Sequence, residues 1–104
     1  MTQTEIIKRI KEIVVNADSK ATAILYGSRA RGDARPDSDY DVLILIDEPR
    51  LNYDNESKFS WPLYQLEMET GVRISPIIRT LSQWKNPPIK TPFHINVNNE
   101  GIVL

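Results

Sequence analysis

Apolar residues near the start of the chain recur at Ile6, Ile7, Ile10, Ile13 and Val14. This i, i+1, i+4, i+7, i+8 pattern describes one face of a helix. Thr2 and Glu5 stand three apart ahead of it, the spacing of a capping box, so the helix is predicted to begin close to Met1. The period then changes. "TAILYG" (22–27) is a short apolar run closed by glycine and reads as a strand. "YDVLILID" (40–47) has unbroken aliphatics, which implies a strand buried on both faces and central in its sheet. Glu48, Pro49 and "RLNYDN" follow as a polar loop.

Phe59, Leu63, Leu66 and Thr70 mark a second helical face, and Gly71 is a natural stop. Pro62 predicts that the regular helix either begins near it or bends there. "VRISPIIRT" (72–80) reads as a third strand, and Pro76, which has no amide to donate, puts it at an edge or on a bulge. "LSQW" predicts one helical turn before Pro87 and Pro88. Thr91 and Pro92 form an N-cap and N1 pair for a last short helix that Gly101 would end. The order α-β-β-α-β-α predicts an α/β (α+β) fold with a small mixed sheet and flanking helices, in one domain over residues 1–104.

Composition narrows the function more than the fold. At 104 residues, 40% hydrophobic and 26% charged, the chain suits one modest core and is not disordered by default. A formal net charge of −1 gives no overall attraction to nucleic acid, so direct nucleic-acid binding is not expected. Cysteine is absent, which excludes disulfides, a thiolate metal site and a cysteine nucleophile. "MTQTEIIKRIKEIVV" mixes charges into its apolar residues and is neither a signal peptide nor a membrane span, so a cytoplasmic location is expected by elimination. His94, the single histidine, is expected at the surface of the last helix. Trp61, Trp84 and Phe93 are expected to pack the core or a partner face.

The chemistry concentrates in "GSRARGDARPDSDYD" (27–41), between the first two strands. A P-loop fails here, because Asp33 and Ala34 stand where lysine and a hydroxyl are required. A calcium loop also fails: Asp37, Asp39, Asp41 and Glu48 have its spacing, but Val42 replaces the obligatory glycine and four aliphatics would be exposed. An ordinary solvated turn explains the Gly, Asp, Pro and Ser content. It does not explain Asp39 and Asp41, which project from the same face of an extended chain. They lie about 6.6 Å apart along it, at about 3.3 Å per residue. Two like charges against a buried strand call for a cation, and oxygen-only ligands favour Mg²⁺ or Mn²⁺. Gly27 lets a ligand approach the backbone, and Ser28 offers a hydroxyl. Arg29 and Arg31 are both candidates for triphosphate contact, but two residues apart on a helix they face different ways.

Gly27–Ser28, ten residues, then Asp39–Tyr40–Asp41 resembles the signature of minimal nucleotidyltransferases in the DNA polymerase beta superfamily. The fuller string is similar to MntA-type antitoxins paired with HEPN toxins. The resemblance implies that nucleotide binding falls to Gly27, Ser28, Arg29, Arg31 and Ser38, and that Asp39 and Asp41 hold Mg²⁺ (or Mn²⁺) and catalyse. It implies ATP as substrate and a HEPN toxin hydroxyl, on a tyrosine, as acceptor of AMP. The family's third carboxylate sits on a later strand, at the position of Ser75, and a serine is a poor base and weak metal ligand. The alternative is therefore a binding module of the same fold that neutralises its partner by contact alone. Glu67, Glu69 and Asp47 are further acids that nothing in the sequence assigns to the site.

Overall fold

The computed structural model describes residues 1–104. Helix α1 (Gln3–Ala17) opens on Thr2, whose hydroxyl accepts from the Glu5 amide at 3.2 Å while the Glu5 carboxylate accepts from the Thr2 amide at 3.2 Å. Strand β1 (Thr22–Tyr26) leads into the single-turn helix α2 (Ser28–Arg31), and β2 (Tyr40–Ile46) follows. Helix α3 (Tyr53–Thr70) crosses to β3 (Ile74–Thr80), which runs directly into α4 (Leu81–Lys85). Helix α5 (Pro92–Glu100) and the two-residue strand β4 (Ile102–Val103) complete the order. No helix is long and apolar enough to cross a membrane.

The sheet order is β3-β2-β1-β4, with β2 parallel to β3 and β1 antiparallel to both β2 and β4. The aliphatic run does what its composition implies: Val42, Leu43, Ile44 and Ile46 are fully buried. Val42, Ile44 and Ile46 face the larger core, with Ile6, Ile10 and Val14 of α1 and Phe59, Leu63 and Leu66 of α3. Leu43 and Leu45 face the other way, onto Val97 of α5 and the partly buried Trp84 and Phe93. Pro76 sits on the edge strand β3, where its missing amide breaks no inner ladder.

Three expectations need correction or extension. Helix α3 begins well before Pro62, because Asn52 and Asn55 exchange a capping box at 2.8 Å in each direction and Phe59 is already anchored in the core. Inside the helix, Pro62 forfeits the one hydrogen bond its amide would make. His94 is not a surface residue. It is 8% exposed, its Nε2 lies 2.8 Å from the Trp84 carbonyl and its Nδ1 3.1 Å from the Asn98 amide nitrogen. Trp84 and Phe93 pack on the second sheet face, whereas Trp61 is 60% exposed. The capping geometry gives a direct expectation: Asn52→Ala should lower stability by about 1 kcal/mol in urea denaturation, with the slope unchanged.

Candidate active site

The turn after β1 is set by one glycine. Gly27 has φ +75° and ψ −157°, a conformation that residues with a Cβ rarely adopt, and a Cβ built there would lie 2.3 Å from Asp41 Oδ2. The bare backbone therefore lets the Asp41 carboxylate sit directly against the turn. The amides of Ala30 and Arg31 close onto the Gly27 carbonyl at 3.1 and 3.0 Å, making α2, and Gly32 at φ +84° ends it.

Sheet register assembles the rest. Tyr26, Asp41 and Ser75 are partners across β1, β2 and β3. Asp39 lies just ahead of β2, where the Tyr40 amide is held by the Arg73 carbonyl at 2.9 Å. Ser75 Oγ donates to Asp39 Oδ2 at 3.2 Å, and the exposed Arg73 guanidinium stands 3.8 Å from Asp39 Oδ1. Burial, and then the neighbouring charge of Asp39, push the Asp41 carboxyl above its ordinary value, with Arg31 opposing. A half-buried carboxylate held against a second one calls for positive charge. The donor set is all oxygen and suits a hard divalent cation. Two carboxylates supply it, and no cluster of three acidic, histidine or cysteine groups exists in the structure.

The two arginines have different surroundings. Arg29 donates to the Ser38 carbonyl at 2.9 Å, to the Pro36 carbonyl at 3.1 Å and to Gln3 at 3.1 Å, and lies 4.4 Å over the Tyr40 ring. Ser38 Oγ accepts from the Arg35 amide at 2.8 Å. Arg29 and Ser38 thus hold the loop that delivers Asp39. Arg31 faces Asp33 at 3.3 Å and Glu100 at 3.2 Å, and it is the arginine whose charge reaches Asp41. The structure brings Gly27, Ser28, Arg31, Asp39, Asp41 and Ser75 to one end of the sheet.

Glu100 was not foreseen. Its Oε1 accepts from the Gly27 amide at 3.3 Å, and the same carboxylate holds Arg31. Gly101 delivers it: a Cβ there would meet the Val97 carbonyl at 2.5 Å and Ile24 Cγ2 at 2.7 Å, so only glycine lets α5 turn this tightly onto β1. The other acids are engaged elsewhere. Glu67 accepts from the Ile74 amide at 2.6 Å, Glu69 pairs with Arg9 at 3.4 Å, and Asp47 is exposed beyond the far end of β2.

The sequence matches the nucleotidyltransferase domain family over residues 7–96. Two proteins of Methanocaldococcus jannaschii, each provisionally named a protein adenylyltransferase, are similar along nearly their whole length. One is 38% identical over 101 residues, covering 94% of each chain; the other is 36% identical over 102, covering 93% of this chain and 95% of its own. A structure provisionally described as a minimal nucleotidyltransferase superposes with a TM-score of 0.65 at 24% identity, covering 100% of this chain and 97% of that one. A crystal structure of a toxin–antitoxin with AMP-PNP gives a TM-score of 0.64 at 17% identity, covering 92% and 69%. The last two establish the fold. The chain belongs to the nucleotidyltransferase domain family, and it is a transferase.

Proposed function

We propose that the protein transfers AMP from ATP to a hydroxyl of a partner protein, a HEPN toxin, as the antitoxin of that pair. The observation that carries this is the Asp39–Asp41 pair, with the Asp41 carboxylate seated against a glycine turn where any Cβ would collide with it. The names of the relatives support a protein as acceptor, and the toxin–antitoxin neighbour with AMP-PNP supports the partner and the nucleotide. A Mg²⁺ or Mn²⁺ ion held by Asp39 and Asp41 would neutralise the triphosphate and the departing pyrophosphate. Gly27 leaves the Asp41 carboxylate room against the turn, the Ser28 hydroxyl is at hand in the same turn, and Arg31 adds positive charge beside them. Ser75 fixes the Asp39 carboxylate by donating to it. It cannot take the acceptor's proton.

Glu100 now has a defined relation to substrate. Its carboxylate occupies the Gly27 amide and Arg31, two donors that a phosphate would use. Glu100→Ala should therefore tighten Mg-ATP binding several-fold in calorimetric titration. Weaker binding in that variant would make Glu100 a contributor to the site rather than a competitor.

Ser75 favours a second reading, neutralisation by contact alone. Incubating protein, Mg-ATP and toxin separates the two: transfer adds one AMP to the toxin by mass, and Asp39→Asn still binds toxin but transfers nothing. Neutralisation without ATP, undiminished by loss of both aspartates, would overturn the enzymatic reading. Gain of transfer in Ser75→Asp alone would identify a fold that has kept its partner and lost its chemistry.

A further inference from the structure

Helix α3 carries apolar residues on two faces. Phe59, Leu63 and Leu66 fill the core, while Trp61, Tyr64 and Met68, spaced three and four apart, form a second line that is exposed. A helix resting on one sheet needs one apolar stripe, so the second line asks for a second neighbour. The rings of Trp61 and Tyr64 lie 5.9 Å apart at 31°, ordering one another at the surface. Beside them runs a cavity of about 610 Å³, walled by α3 through Tyr53, Trp61 and Tyr64 and by the edge strand β3 through Pro76, Ile78 and Arg79.

The strand wall is closed to strand addition. Pro76 has no amide to donate, the Ile74 amide is held by the Glu67 carboxylate at 2.6 Å, and the Ile78 carbonyl by the Arg79 guanidinium at 2.9 Å. What docks here meets side chains, not a free ladder. Two of those side chains are charged. Glu56 on the helical wall and Arg79 on the strand wall are both exposed, and neither forms an ion pair within the chain. A groove with a carboxylate on one wall and a guanidinium on the other is complementary in charge to itself, turned about a two-fold axis. Such a contact makes the Glu56–Arg79 pair twice. The rings also supply much of the area a stable dimer needs. Tyr53, Trp61 and Tyr64 are 82%, 60% and 51% exposed; at about 200 Å² per side chain they offer about 390 Å². That is about half of the ~800 Å² each partner contributes to a standard interface.

We propose that the groove between α3 and β3 is a homodimer interface. A second copy of the chain lies across it about a two-fold axis, with Trp61 of each copy entering the other's groove and Glu56 of each facing Arg79 of the other. The assignment is independent of the nucleotide reading. Ser75, which touches Asp39, is not part of the lining, so both aspartate pairs stay open and the dimer carries two sites.

Sedimentation equilibrium over the micromolar range, on the chain alone and without nucleotide, tests it. The parent should form a dimer with a micromolar dissociation constant. Trp61→Glu should be monomeric throughout and keep the circular dichroism of the folded chain, because Trp61 is no part of its own core. Glu56→Arg and Arg79→Glu should each weaken the dimer by about tenfold, since each change sets like charges together twice. Combining the two should restore it to within about threefold of the parent, a recovery that independent damage to the fold would not give. A parent that stays monomeric, a dimer indifferent to Trp61→Glu, or a double reversal no stronger than the singles overturns the proposal. A toxin that binds a monomeric parent and fails to bind Trp61→Glu assigns the groove to a different protein, and overturns it as well.

Discussion

Asp41→Asn is expected to lower AMP transfer by about a thousandfold, the upper range for removing one group that stabilises developing charge. It should also abolish the rise in melting temperature expected from Mg-ATP binding to the native state. The metal-free protein should behave in the opposite way. Burial and Asp39 raise the Asp41 carboxyl above 3.8, so its ionised form opposes folding. For an acid shifted in this direction, the stabilising contribution is complete below 3.8 and is lost as pH rises through the folded value. Asparagine carries no charge at any pH. The variant should therefore melt higher than the parent at neutral pH without ligand, and the gain should vanish in acid. An ATP-dependent shift that persists in Asp41→Asn would remove Asp41 from the site.

Gly27→Ala is the second large effect, and it combines two causes that can be measured apart. A side chain at φ +75° and ψ −157°, a region populated essentially by glycine alone, is strained by about 1–3 kcal/mol. The new Cβ would also stand 2.3 Å from Asp41 Oδ2, so the carboxylate has to move. We expect a loss of about 1–3 kcal/mol in urea denaturation together with loss of Mg-ATP binding in the molecules that remain folded. Gly32→Ala provides the control. Its φ is +84°, and nothing lies within 4 Å of the added Cβ. It should show the strain without the loss of nucleotide. Equal binding of Mg-ATP by Gly27→Ala and the parent would separate this turn from the phosphates.

What the sequence revealed follows the range of the interactions involved. Helix α1 announced itself through its apolar stripe and the Thr2–Glu5 cap, and β2 through aliphatics that only a central strand buries. These are local signals. The aspartate pair was also legible, because the pleat alone puts alternate residues on one face. The start of α3 was obscured by Pro62, whose local penalty is real but smaller than the combined effect of the Asn52 cap and the buried Phe59. The choice between Arg29 and Arg31 could not be read, since it depends on carbonyls at Pro36 and Ser38 and on a carboxylate at Glu100. Glu100 itself had no signal. It lies far along the chain from Gly27, and the strand that brings it back, β4, has two residues, too few to show a period. His94 was misread for a similar reason: its burial comes from α4 packing against α5, not from its own neighbours in sequence.

That short strand has a kinetic meaning. Ile102 and Val103 are 48% and 67% exposed, and β4 is paired on one side only, to Ile24 and Leu25, with a last bond from the Leu104 amide to the Ala23 carbonyl at 2.9 Å. Segments with few buried contacts open at a small fraction of the free energy of global unfolding. Fraying of β4 would free Gly101 from β1 and let Glu100 leave the Gly27 amide, with β1, β2 and β3 undisturbed. On the proposed function, access of phosphate to the turn would be governed by a local opening at the β4 edge of the sheet, and hydrogen exchange at residues 102–104 would track it while the amides of β2 stay protected.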